Sequence, residues 1–286
     1  MDNLKNQVFL FAMDSYSPAA VGIFDKIKQA AGESDCFILF HQRYFGKINQ
    51  EVLRRPHFIV TNKQLLELGY AVDINKSLIP GNCHLPLMYF FSKHKYSHYW
   101  YIEYDVRFSG NWHYFFSYFN KSEEDFIASH VRFYKDEPDW IHWKSMGHPF
   151  QKIDYSKMLK AFCPIYRVSY NALAAINNKQ KEGWVGHQEV IFPTFLHELG
   201  FSIRDFGGAG YFVQAGDENL FYNDSIISNS MRYRPEHIFY SFKKKNKLYH
   251  PVKSRKVFRW LTAGLDRFVG KVGQLIKRHN QMKPKI

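Results

Sequence analysis

Tyr99-Trp100-Tyr101-Ile102-Glu103-Tyr104-Asp105-Val106 is the stretch on which the fold turns. Aromatic and apolar side chains run without a break until two acids arrive at spacing i, i+2. A continuous run of this kind reads as a strand buried on both faces. Residues two apart on a strand point the same way, so the spacing predicts both carboxylates on one face. Two acids side by side at a buried strand end repel, and desolvation favours the neutral form of each. A divalent cation removes both problems, and hard oxygen ligands suit Mg²⁺ or Mn²⁺. The competing reading is an exposed strand end whose acids pair with Arg107 or Arg132.

The chain before this stretch alternates. Val8 to Met13 is an apolar run that stops at Asp14-Ser15. Pro18 opens a helical pattern through Ile23, Ile27 and Ala30, with Gly32 as its stop. Cys36 to Phe40 is a second apolar run and ends at His41-Gln42; His57 to Val60 is a third and ends at Thr61-Asn62. A short helix follows around Leu65 to Leu68, and Pro80-Gly81-Asn82 leads into a helix from Leu85 to His94. Strands and helices in this order predict an α/β domain with a mainly parallel sheet. Ligands of open α/β sheets bind at the carboxyl ends of the strands, where the polar residues of these runs collect. Downstream, Trp112 to Phe119 reads as a helix, Asp125 to Phe133 as a strand, and Ser169 to Asn177 and His187 to Leu199 as helices. Gly207 to Gly210 reads as a flexible turn. It neither opens a helix nor closes a first strand, so it is no dinucleotide fingerprint, and no GxxxxGK[ST] loop occurs.

Composition narrows the partners. The chain has 286 residues, 45% of them hydrophobic and 18% aromatic, enough to bury a substantial core. Its net charge of +13 sits wholly in the segment from Lys243 to Ile286, where Asp266 is the single acid. The body is formally neutral, which argues against a nucleic-acid binder. Three cysteines at long spacings, Cys36, Cys83 and Cys163, suggest neither a zinc ribbon nor a disulfide framework, and fit a reducing compartment. The apolar run near the N-terminus reads as a first strand rather than a signal peptide. No stretch approaches the ~18 apolar residues that span a bilayer.

An acidic pair at the end of a strand, after about a hundred residues of α/β sequence, resembles the DxD position of GT-A fold glycosyltransferases. Tyr101 to Val106 is similar to the ExD variant in bacterial polysaccharide and lipopolysaccharide transferases. Leu248-Tyr249-His250-Pro251-Val252-Lys253 resembles the C-terminal histidine segment of the same group. The resemblance implies a Rossmann-type mixed sheet flanked by helices. It implies Mn²⁺ or Mg²⁺ as cofactor and a nucleotide sugar, UDP-linked, as donor. It makes Asp105 and His250 metal ligands and Lys253 a diphosphate contact. The first acid is Glu rather than Asp, so Glu103 is read either as a ligand or as a contact to metal-bound water or ribose. Residues 1–110 would form the nucleotide-sugar half, 111–252 the acceptor-binding and catalytic half of the same domain, and 253–286 a basic amphipathic helix.

On that view Asp14, Ser15, His41, Gln42 and Asn62, at the ends of the first strands, are candidates for holding base and ribose. Each could equally cap a helix or form a turn. Asn82 precedes a helix whose free N–H groups could face a ligand. On the acceptor side, Trp184 could stack on a sugar ring. Glu189 could take the acceptor's hydroxyl proton, or simply favour a helix dipole; Asp139 is a second base candidate. Together these describe an inverting transfer to a saccharide or lipid-linked acceptor. From Val257 onward, apolar residues recur at three-to-four spacing opposite Arg and Lys, the pattern of a helix lying on an anionic membrane surface. A helix packed on the body or on a partner chain would share that pattern. The expected place is cytoplasmic, peripheral on the inner face of the cell membrane. The alternatives are a metal-dependent phosphodiesterase or nucleotidyltransferase, and a membrane-associated adaptor without activity.

Overall fold

The structure, a computed structural model, describes residues 5–43, 46–72, 78, 81–224, 230–232 and 245–252. Lys253 and the basic segment that follows lie outside the described residues, as does the helix expected there.

The first half builds four parallel strands. β1 (Lys5–Met13), α1 (Pro18–Ala31), β2 (Asp35–Gln42), α2 (Gln50–Leu53), β3 (His57–Thr61), α3 (Asn62–Leu66), α4 (Leu85–Lys93) and β4 (Tyr96–Glu103) follow in order. β1 lies between β2 and β4 and is parallel to both, and β3 pairs with the outer edge of β2. The second half gives β5 (Arg107–Phe108), α5 (Trp112–Phe119), β6 (Phe126–Phe133), β7 (Leu159–Ser169), α6 (Tyr170–Lys181), α7 (Gln188–Glu198), β8 (Ile203–Asp205) and β9 (Leu248–Tyr249). The main sheet runs β3-β2-β1-β4-β7-β6-β8. β7 is antiparallel to both neighbours. Strands from both halves therefore share one mixed sheet, and the fold is α/β with helices on both faces. No helix among the described residues is long and apolar enough to cross a membrane.

The two faces explain the unbroken apolar runs. Val8, Leu10, Tyr99 and Tyr101 pack on one side with α4, α6 and α7, while Phe9, Phe11, Trp100 and Ile102 pack on the other with α1 and α5. Consecutive residues face opposite cores, so a central strand here has no polar side. Trp100 is wholly buried, stacked on Phe9 at 6.0 Å and on Phe206 at 6.1 Å.

β7 was not expected. It carries Pro164, which donates no ladder hydrogen bond and normally marks an edge. Here it sits in a central strand, where the β6 register slips between Ile127 and Ser129. The Gly207–Gly210 segment is also better ordered than a flexible turn. Asp205 is fully buried and accepts hydrogen bonds from the Gly207 and Gly208 amides, the Val131 amide and the Tyr222 hydroxyl.

Candidate metal centre and active site

The carboxyl ends of β1, β2 and β4 open on a cavity of about 350 Å³. β4 ends at Glu103, so the acids are not two residues of one strand as the spacing predicts. The chain turns instead: the Tyr104 amide still bonds Ala12 O at 3.0 Å, and the Val106 amide bonds back to Glu103 O at 3.0 Å. Arg107, offered by the sequence as a partner for the acids, shapes this turn by donating to the Tyr104 and Val106 carbonyls, each at 2.8 Å. Arg132 is paired with Asp224.

A two-stranded sheet brings in the third group. β5 follows directly on the acidic turn, β9 directly precedes His250, and Arg107 pairs with Tyr249. The Val252 amide then bonds Asp105 O at 2.9 Å. The bed under β9 is the segment near Phe221, whose carbonyl accepts from the Leu248 amide at 2.6 Å. This places His250 Nε2 3.2 Å from Glu103 Oε2 and 3.3 Å from Asp105 Oδ1. One ligand atom from each of Glu103, Asp105 and His250 falls within 4.8 Å of the others. Two carboxylates and an imidazole at that separation fit a hard or borderline divalent ion such as Mn²⁺ or Mg²⁺. Burial lowers the His250 pKa, but hydrogen bonds to Asp105 and Glu103, and their charge, outweigh it and raise it to about 9. A protonated imidazole there can donate to these carboxylates, the same residues that would hold a cation.

Glu189 comes into the same cavity from the far side of the sheet sequence. It lies in the first turn of α7, and its side chain is 12% exposed. Its Oε1 accepts from the Cys163 amide on β7 at 3.1 Å. Burial pushes its pKa up to about 7, against that hydrogen bond, with the Glu103 charge adding to the rise. A carboxyl poised there can exchange a proton near neutral pH.

The donor-side candidates divide. Asp14 and His41 line the cavity. Asp14 does not cap α1; Ser17 occupies that position, and Asp14 pairs with Arg43 at 3.1 Å. His41 is held by Asn62 Oδ1 at 2.8 Å, and burial keeps its pKa below the ordinary value. Asn62 thus acts through His41 and does not itself line the cavity. Ser15 is exposed and bonds Asp14, and Asn82 gives its amide to Leu78 O at 2.7 Å; neither is in the lining. On the acceptor side, Asp139 is an exposed turn residue away from the lining. Trp184 is a core residue, packed on Phe195 and His148, with no face for a sugar.

Sequence reading missed Arg43, Tyr101, His187 and Gln188, all of which line the cavity. Arg43 follows His41-Gln42 at the end of β2, so its position alone marked it. His187 caps α7 by accepting the Glu189 amide at 3.3 Å. Gly81 packs against it. Gly81 has φ +99°, and an added Cβ would stand 3.0 Å from His187 Cα.

No protein-family model matches the chain, and no curated protein matches it in sequence. Solved structures do resemble it in chain path. Glucosyl-3-phosphoglycerate synthase from Mycobacterium tuberculosis, in complex with Mn²⁺, UDP-glucose and phosphoglyceric acid, is 10% identical, with TM-score 0.42 over 70% of this chain and 69% of that one. CMP:2-keto-3-deoxy-manno-octonic acid synthetase complexed with CTP is 11% identical, with TM-score 0.38 over 74% of this chain and 94% of that one. HddC from Yersinia pseudotuberculosis is 10% identical, with TM-score 0.39 over 71% and 90%.

Proposed function

We propose that this chain is a divalent-metal-dependent glycosyltransferase that uses a nucleotide sugar, UDP-linked, and transfers to a hydroxyl acceptor with inversion. One observation carries the reading: the Glu103–Asp105–His250 cluster shares its cavity with Glu189, a nearly buried carboxyl whose pKa lies near 7. Asp105, His250 and Glu103 would hold Mn²⁺ or Mg²⁺. A bound ion supplies charge neutralisation for a leaving diphosphate. Asp14, His41 and Arg43, at the ends of β1 and β2, face the donor's nucleoside side. Lys253 is proposed as a further diphosphate contact.

The chain's own groups do the rest. Ionised Glu189 takes the proton from the acceptor hydroxyl. The acceptor oxygen forms a bond to the anomeric carbon, the carbon–oxygen bond to the diphosphate breaks, and the nucleoside diphosphate leaves with the bonding electrons. Attack opposite the leaving group inverts the anomeric centre.

The proposed setting is bacterial surface polysaccharide or lipopolysaccharide synthesis, at the inner face of the cell membrane. The motivation is the basic segment after Lys253 and the use such an anchor has for a lipid-linked acceptor. Product analysis with UDP-sugars and Mn²⁺ tests the activity. Release of UDP with transfer of the sugar supports it. Release of pyrophosphate from a nucleoside triphosphate and a sugar phosphate would replace it with nucleotidyl transfer. Flotation with anionic liposomes tests the anchor: the full chain should float and a chain ending near Lys253 should not.

A further inference from the structure

Glu189 shares the cavity with a side chain that the transfer step leaves unused. His187 also lines the cavity, and its Nδ1 lies 3.7 Å from Glu189 Oε2. Most of this imidazole is already committed. Nδ1 accepts the Glu189 amide at 3.3 Å and so caps α7. One ring face is covered by His142, with centroids 4.3 Å apart and planes 30° from parallel. Cδ2 and Cγ face Gly81, where an added Cβ would stand 3.0 and 3.3 Å from them. What remains for the cavity is the edge formed by Cε1 and Nε2. Among the described residues no group hydrogen-bonds Nε2, and the atom is not sealed from solvent.

The residue is also held along its backbone. Its amide donates to Ser145 Oγ at 2.9 Å, and the next amide, of Gln188, donates to Gly81 O at 2.8 Å. The capping bond fixes the tautomer. A ring nitrogen that accepts an amide N–H carries no proton, so the neutral ring carries its proton on Nε2. Burial, with His142 and His84 nearby, lowers the pKa to about 3. The ring is therefore uncharged at every pH at which Glu189 is ionised, and Nε2 is a donor throughout.

We propose that His187 Nε2–H binds a second oxygen of the acceptor, so that Glu189 receives the reacting hydroxyl from a molecule held at two points. This rests on the transfer reading, with Glu189 as base. A base alone fixes one atom of the acceptor and leaves the rest free to turn; a second hydrogen bond fixes its orientation for attack. An acceptor without that second oxygen leaves the N–H unpaired when it excludes water, so the site selects polyhydroxy acceptors over simple alcohols. The other charged groups of the lining are engaged elsewhere: Asp14 with Arg43, and Glu103 and Asp105 with His250.

Two substitutions separate this role from helix capping. His187→Asn places a side-chain oxygen where Nδ1 accepts and keeps the cap, but has nothing at Nε2. His187→Gln places an amide N–H near Nε2 and gives up the cap geometry. The assay uses the full chain with Mn²⁺, UDP-glucose, UDP-galactose and UDP-N-acetylglucosamine as donors, and methyl glucopyranoside and methyl galactopyranoside as acceptors. For the best pair, His187→Asn should raise the acceptor KM by about tenfold, the loss of one hydrogen bond, with an unchanged melting temperature. His187→Gln should restore most of that KM while melting lower. Mn²⁺-dependent UDP binding, measured by calorimetry, should hold in both. The proposal is overturned if both variants keep the wild-type KM, if His187→Asn restores it and His187→Gln does not, or if either loses UDP binding, which would put Nε2 on the donor. A wild type that binds no UDP, or transfers to neither glycoside, fails the transfer reading, and the proposal falls with it; a wild type that transfers while both variants match it overturns the proposal alone.

Discussion

His250 Nε2 stands 3.3 Å from Asp105 Oδ1 because β9 pairs with β5 immediately beside the acidic turn. The two residues are far apart in sequence, yet the distance is set by a hinge of only a few paired residues. Proton and metal compete for this site. The imidazole must release its proton to accept a metal, and its pKa is raised to about 9. Mg²⁺ affinity should therefore climb as pH rises from 6.5 toward 9, by up to about tenfold per pH unit, and level off above. In the metal-free protein the sign reverses. A raised histidine pKa stabilises the fold fully below its ordinary value of 6.5, and that contribution fades as pH passes 9. Melting temperatures across this window, with and without Mg²⁺, check both halves.

Glu189 has the same sign as the histidine of the metal-free protein. Its pKa is raised to about 7, so ionisation opposes folding as pH climbs from about 4.5 through 7. Glu189→Gln keeps the acceptor for the Cys163 amide and removes the charge. It should raise the melting temperature at pH 8 while lowering turnover by about 10²–10⁴-fold, the usual worth of a general base. UDP affinity should hold. In the wild type, turnover should fall as pH drops below about 7.

Leu248 is wholly buried and anchors β9. Leu248→Ala removes core contacts worth about 2–5 kcal/mol. Because the loss falls on the strand that leads to His250, metal affinity should suffer more than it does for Leu173→Ala, which damages the opposite core face and leaves β9 in place. Calorimetry with Mg²⁺ on both variants distinguishes them.

Gly81 at φ +99° accepts the Gln188 amide through its carbonyl at 2.8 Å and leaves no room for a Cβ beside His187. Gly81→Ala is strained in backbone and in space. It should displace the start of α7, lowering turnover through Glu189 with a smaller change in metal affinity. Equal losses in both would contradict the placement of His187 between Gly81 and Glu189.

Much of this arrangement was readable in the residues. β1 to β4 announced themselves because each is a dense apolar run ended by polar residues, which is how a strand buried on both faces must look. β7 hid because Pro164 contradicts a central strand locally, and only the slipped β6 register accommodates it. The Glu103–Asp105 pairing was legible as spacing, but its geometry depends on a turn that Arg107 organises through the main chain. His187 carried no mark of a site residue, because only tertiary packing sets it between Gly81 and Glu189. Asn62 and Trp184 were legible as polar or aromatic residues at suggestive places, but tertiary contacts engage one with His41 and bury the other.

The central claim is that Glu103, Asp105 and His250 make nucleotide binding depend on a divalent ion. Calorimetric titration of UDP into the full chain, with Mn²⁺ and with chelator, in wild type and Asp105→Asn, tests it most directly. The account predicts UDP binding that requires Mn²⁺ in the wild type and is lost in Asp105→Asn. UDP binding of equal strength with chelator, or undiminished in Asp105→Asn with Mn²⁺, would contradict it.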